Sequence, residues 1–139
     1  MSSPSSRTAR GRFTVKMTPF DEAPGEGGGS AVSLGRLKLE KQFSGDLEGE
    51  GRGQMLTAMT GTQGSAGYVA IEHFSGSLHG LRGGFVFQHS GLMERGTQQL
   101  TISVVPDSGH GELSGIAGRF SIAIVEGQHR YEFDYSLPG

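Results

Sequence analysis

Two carboxylates spaced two apart are the first residues that could do chemistry: Glu48 and Glu50, in Asp46-Leu-Glu-Gly-Glu-Gly-Arg52. On a strand, residues i and i+2 share a face. Turned inward, the pair would repel and be desolvated, raising one pKa and creating a general acid. Turned outward, it is a solvated pair balanced by Arg52. Tyr68 and Glu72 are four apart, so they also share a face, and the small Ala70 between them leaves room for a ligand. The opposite face of that segment carries Val69 and Ile71, which point inward if the interior is simply a packed core. Gln88 and His89 are adjacent, so only one of them can face the interior. His89 shares its face with Phe85 and Phe87, and histidine is the natural proton carrier near neutral pH. His129, Tyr131, Phe133 and Tyr135 form a stripe whose plain reading is the core face of a strand. Tyrosine hydroxyls inside a core need partners, and a ligand can be one.

Other chemistries are missing. There are no cysteines, which removes disulfides, thiolate metal sites and cysteine nucleophiles. The five histidines (His73, His79, His89, His110 and His129) never stand two apart, so the paired histidines of a cupin-type metal site are lacking. No metal and no cofactor is expected. No phosphate-binding loop, dinucleotide fingerprint or serine elbow occurs. The net charge is −2 and the pI about 6.2, with no basic stripe and no tryptophan, so no nucleic-acid partner is expected. No apolar run approaches the ~18 residues of a membrane span. The start, Met1-Ser-Ser-Pro-Ser-Ser, lacks the apolar centre of a secretory signal, and a cytoplasmic location is the expectation.

The elements that must position these residues read as strands. Glycine supplies 25 of the 139 residues, spread without a period of three. It serves turns and strongly curved strands far better than helices. Alternation marks eight runs, over 12–20, 31–43, 46–60, 66–75, 83–90, 96–105, 118–125 and 129–137. Turn signals separate them, among them Leu78-His-Gly80, Ser90-Gly-Leu92, Pro106-Asp-Ser-Gly109 and Glu126-Gly127. Short connections favour hairpins between neighbours. Eight hairpin-linked strands leave two bare edges unless the sheet closes, and about eight strands enclose a space that side chains or one small ligand can fill. The fold expected is all-β, a closed antiparallel eight-stranded meander barrel, lipocalin-like in its closure, with a two-sheet sandwich as the alternative. Residues 1–10, rich in Ser and Arg, are expected to be a disordered tail before a single domain over 11–139. Residues 23–30 are expected to be a flexible loop.

Four blocks carry a family resemblance. They are Gly64-Ser-Ala-Gly-Tyr-Val-Ala-Ile-Glu72, Gly84-Phe-Val-Phe-Gln-His-Ser-Gly91, the run Val104 to Gly118, and His129-Arg-Tyr-Glu-Phe-Asp-Tyr135. In this order they resemble the bacterial DUF3224 family, over roughly residues 12–137. The resemblance implies an eight-stranded barrel like that of allene oxide cyclase, and the family name implies no particular reaction. The stretch Gly109 to Gly118 is also similar to the glycine-rich segment of allene oxide cyclases and dirigent proteins. A likeness of that length transfers fold more safely than activity.

The functional expectation is a barrel that binds an apolar or amphipathic small molecule in its interior, in its enzymatic form as a cofactor-free cyclase or isomerase. Glu72 or Glu48 would then donate or accept the proton. Tyr68, Tyr131 and Tyr135 would orient the ligand, and Phe85 and Phe87 would form an apolar wall. Glu50, Gln88 and His89 complete the candidate ligand contacts. A carrier without turnover, and a structural barrel with a packed interior that forms homo-oligomers through its outside, are the alternatives. Period-two alternation leaves open which set of residues faces inward on each strand.

Overall fold

The computed structural model describes residues 5–20 and 32–138. The expected loop at 23–30 and the first four residues of the expected tail lie outside that range. The strands are β1 (Ser5–Pro19), β2 (Ser33–Gly45), β3 (Leu47–Met59), β4 (Ala66–Leu78), β5 (Leu81–Glu94), β6 (Thr97–Val104), β7 (His110–Gly111), β8 (Ala117–Val125) and β9 (Gln128–Leu137). Eight of them close a ring in the order β1-β2-β3-β4-β5-β6-β8-β9, with β9 returning to β1 and every pairing antiparallel. The closed barrel is the expected fold. β7 lies outside the ring beside the lower end of β5. Among the described residues no helix is long and apolar enough to cross a membrane, which says nothing of a barrel.

Local chemistry accounts for the hairpins. His79-Gly80, Arg95-Gly96 and Glu126-Gly127 each hold two successive positive φ angles, near 46° and 83°, 47° and 92°, and 53° and 77°. Two left-handed residues in a row make the type I′ turn, whose twist matches that of the strands it joins. Two expectations need correction. Residues Ser5–Arg10 are not a tail: they pair with Glu132–Leu137 of β9 and bury Ala9, so β1 starts well before residue 11. Ser90-Gly-Leu92 is not a turn either. β5 runs through it to Glu94, because the positive-φ pair stands at Arg95-Gly96.

Closure selects one face of each strand. The inward set includes Phe13 on β1, Leu39 and Phe43 on β2, Phe74 on β4, Phe85 and Phe87 on β5, Phe120 on β8, and Tyr131 and Phe133 on β9. These rings fill the lower part of the barrel, neighbouring centroids lying 4.9 to 6.3 Å apart. Full burial of each contributes roughly 1.5–3 kcal/mol. The lower end is plugged by the connection after β6, whose Leu113 and Ile116 are buried. On β4 the apolar Val69 and Ile71 point outward, 52% and 51% exposed, while Glu72 points inward at 0%.

The upper part is built differently. Its inward positions include Met55 and Thr57 on β3 and Gly91 and Met93 on β5, small or flexible residues beside the half-buried ring of Tyr68 on β4. The seam between β6 and β8 consists of two residue pairs, Ile102 with Phe120 and Ser103 with Arg119. Towards the mouth it leaves the apolar Leu100 and Ile124 exposed.

Candidate functional site

Where the aromatic packing ends, three polar side chains meet. Glu72 of β4 is fully buried, His89 of β5 is 3% exposed and Lys41 of β2 is 7% exposed. Lysine and glutamate are almost never fully buried unless paired. Lys41 Nζ lies 3.0 Å and His89 Nε2 2.8 Å from the same carboxylate oxygen, Glu72 Oε1. The Lys41 ammonium also sits 4.9 Å from the centre of the Phe13 ring, a favourable position for a cation. The other oxygen, Glu72 Oε2, is buried without a hydrogen-bond partner. It occupies the space over Gly51, where a Cβ would collide with it.

Burial alone would raise the Glu72 pKa. The hydrogen bond from His89 and the Lys41 charge outweigh burial, and the carboxyl is held below its ordinary value. An ionised carboxylate accepts, so Nε2 of His89 is the donor. In its neutral form the imidazole then carries its lone pair on Nδ1. A buried carboxylate that orients a histidine and leaves its second nitrogen free is the arrangement of a general-base dyad.

Above this cluster lies a cavity of about 140 Å³, lined by Met55, Thr57, Met59, Ala66, Gly67, Tyr68, Gly91, Leu92, Met93 and Gln98. It is one residue layer from the cluster. Ala70 separates Tyr68 from Glu72 along β4, and Gly91 is the next inward residue after His89 on β5. The Tyr68 ring lies over Gly91, in space that any Cβ there would invade. Burial and then the Glu72 charge push the Tyr68 pKa up, so its hydroxyl keeps its proton at neutral pH.

The other expected site residues are not brought to this place. Glu48 and Glu50 stand exposed on the outer face of β3, and Glu50 meets Arg52 at 3.2 Å. Gln88 is likewise outside and exposed. Phe85 and Phe87 face inward within the aromatic packing, where Phe87 presents its ring edge-on to His89 at 6.4 Å. Tyr131 and Tyr135 are inward and buried but sit towards the opposite end from the cavity. The Tyr131 hydroxyl accepts from the Leu47 amide at 2.9 Å and reaches the Ser44 carbonyl at 2.8 Å, clipping the β2–β3 turn. Burial, above all, pushes its pKa up to about 12. Tyr135 shares a 2.6 Å hydrogen bond with His79 Nδ1, and His79 Nε2 lies 3.4 Å from Asp46.

Lys41 was missed, although it carries a signal. It is the charged member of an otherwise apolar alternating set, Leu37, Leu39, Lys41, Phe43. The methionines of the mouth were also missed, because methionine marks apolar burial without saying what is buried. No group of three or more metal-ligating side chains occurs among the described residues.

A closed eight-stranded antiparallel barrel, packed below and hollow above a buried ionic cluster, is thus the class of protein. The profile of the family described as "Protein of unknown function (DUF3224)" matches residues 9–135, and the chain belongs to that family. It is similar to a crystal structure of a DUF3224-family protein with unknown function from Shewanella oneidensis MR-1. The two share 47% identity and a TM-score of 0.89, over 99% of this chain and 100% of that one. No curated protein matches the sequence.

Proposed function

We propose that the barrel receives a small, mainly apolar molecule in the methionine-lined cavity and moves a proton on it through the Glu72–His89 dyad. The observation that carries this reading is the ionised Glu72, buried under an apolar cavity with one oxygen bonded to His89 and the other unpartnered. An unsatisfied buried polar atom costs about 1–3 kcal/mol, a cost that calls for a use. The cavity is close to the ~150 Å³ space that accepts benzene. Met55, Met59 and Met93 are flexible and polarisable, so they adapt to ligands of different outline. The exposed apolar residues at the β6–β8 seam favour approach of an apolar molecule.

In the catalytic form, His89 Nδ1 takes a proton from carbon beside a carbonyl, and the resulting imidazolium is stabilised by Glu72. The protonated Tyr68 hydroxyl donates a hydrogen bond to the developing enolate oxygen. Where the substrate is a β,γ-unsaturated carbonyl compound, return of the proton to the γ-carbon of the dienolate moves the double bond into conjugation and completes a cofactor-free isomerisation. A second reading, a carrier without turnover, is favoured by the near-complete burial of Glu72, His89 and Lys41.

Deuterium exchange at the α-carbon of small aromatic and terpenoid ketones, followed by NMR, tests both. Exchange abolished in Glu72→Gln and His89→Gln, with ligand-induced shifts at Met55 and Met93 retained, supports catalysis. Binding without exchange leaves the carrier. Absence of binding at the methionine methyls across such a panel overturns the interior-ligand reading.

A further inference from the structure

We propose that His73 and His110 form a binding site for one divalent first-row transition ion of the copper, nickel or zinc kind, on the outside of the barrel. His73 projects from the outer face of β4, and His110 is half of the two-residue β7; both are exposed. Their Nε2 atoms lie 3.1 Å apart with the ring planes within 9°. Two imidazole nitrogens bound cis to one ion at about 2.0–2.1 Å stand roughly 2.8–3.4 Å from each other. The observed separation falls inside that window, and a tilt of the exposed rings turns both lone pairs on one ion.

The contact is built into the backbone. β7 pairs with Gly83 and Gly84 of β5, and at Gly84 a Cβ would stand 2.5 Å from His110 Nε2. Glycine there is what lets the His110 ring lie across β5 to reach β4. The segment is pinned by Glu112, whose amide donates to the Arg82 carbonyl at 2.8 Å and whose carboxylate accepts from the Arg82 amide at 3.0 Å. Buried Leu113 anchors it from below. A metal ion would take the lone pairs of both Nε2 atoms, so its binding places the ring protons on the two Nδ1 atoms. The charged neighbour on the adjacent strand is Arg52, which pairs with His73 in register and is engaged by Glu50 at 3.2 Å; on the other side the partner is the neutral Val86. Imidazole suits copper, nickel and zinc, copper most tightly, with water filling the remaining positions. The site is on the outer surface and stands independently of the interior cavity.

Calorimetric titration of the intact protein with copper(II), nickel(II) and zinc(II) salts at neutral pH tests this. One ion per chain is expected, copper binding most tightly. His73→Ala and His110→Ala should each weaken binding by about tenfold or more. Copper should broaden the ring protons of His73 and His110 before those of His79, His89 or His129. Both side chains are exposed, and circular dichroism checks that the variants fold. Undiminished binding in either variant, broadening centred on another histidine, or no binding by the wild type overturns the proposal.

Discussion

The lower and upper halves of this barrel share the same strands and register yet are filled by opposite means. Below the Glu72 cluster, aromatic rings interlock at van der Waals distances and leave the interior packed. Above it, Gly91, Thr57 and the methionines leave a cavity beside a half-buried tyrosine. Close-packed interiors punish any change of volume, whereas flexible side chains around a void absorb it. The lower half holds the ring closed, so the upper half can stay loose without opening it. The ionic cluster marks the border between them.

The sharpest way to break this comparison is to truncate one large side chain in each half. Phe133→Ala should lose about 3–5 kcal/mol, as for other buried aromatic truncations, measured by urea unfolding. Met93→Ala in the upper half should lose less than half of that. Equal losses would erase the distinction. The border comes next. Lys41→Met removes the cation and leaves a buried carboxylate, at a cost of about 3–5 kcal/mol. The double variant Lys41→Met, Glu72→Leu should recover most of that loss in the same assay.

Gly91→Ala tests the openness of the upper half. Its Cβ enters the space of the Tyr68 ring, and such overpacking costs about 1–3 kcal/mol. Any cavity ligand should bind more weakly, which titration of the ligand-shifted methyl signals would read.

The pH profile separates the halves with smaller effects. The folded-state pKa of Glu72 is depressed, so its contribution is present above the ordinary value of 4.5 and is lost as pH falls through the folded pKa. The folded-state pKa of Tyr131 is raised from 10.0 to about 12, so its contribution is complete below pH 10 and fades as pH rises towards 12. Stability measured against pH should therefore show an acid limb that flattens in the Lys41→Met, Glu72→Leu variant. Its alkaline limb should flatten in Tyr131→Phe. An unchanged limb in either variant removes that group from the border or from the lower half.

The site was only partly legible. Glu72, Tyr68 and His89 could be singled out because each interrupts or borders an apolar alternation. Glu48 and Glu50 had the same spacing argument but lie outside. The difference is made by neighbours far along the chain: Gly51 on β3 leaves inward space that the Glu72 carboxylate fills, and Gly53 leaves room for the backbone of Ile71 and Glu72. Tyr131 and Tyr135 were legible as core and not as local clips, because their partners, Leu47 and His79, are 84 and 56 residues away.

Residue order alone accounts for the eight ring strands, save the first part of β1, for most of the turns and for the need for closure. Period-two alternation and paired positive-φ positions are local properties, and unpaired edges are unfavourable in any sheet. The closed barrel selects which alternate set turns inward. On β4 it chose Tyr68 and Glu72 over Val69 and Ile71, leaving two β-branched residues in solvent. The physical reason is that a single-residue alternation is symmetric between its two faces. That symmetry is broken when residues 17 and 31 positions away, His89 and Lys41, bring their charge and hydrogen bonds to the same carboxylate oxygen.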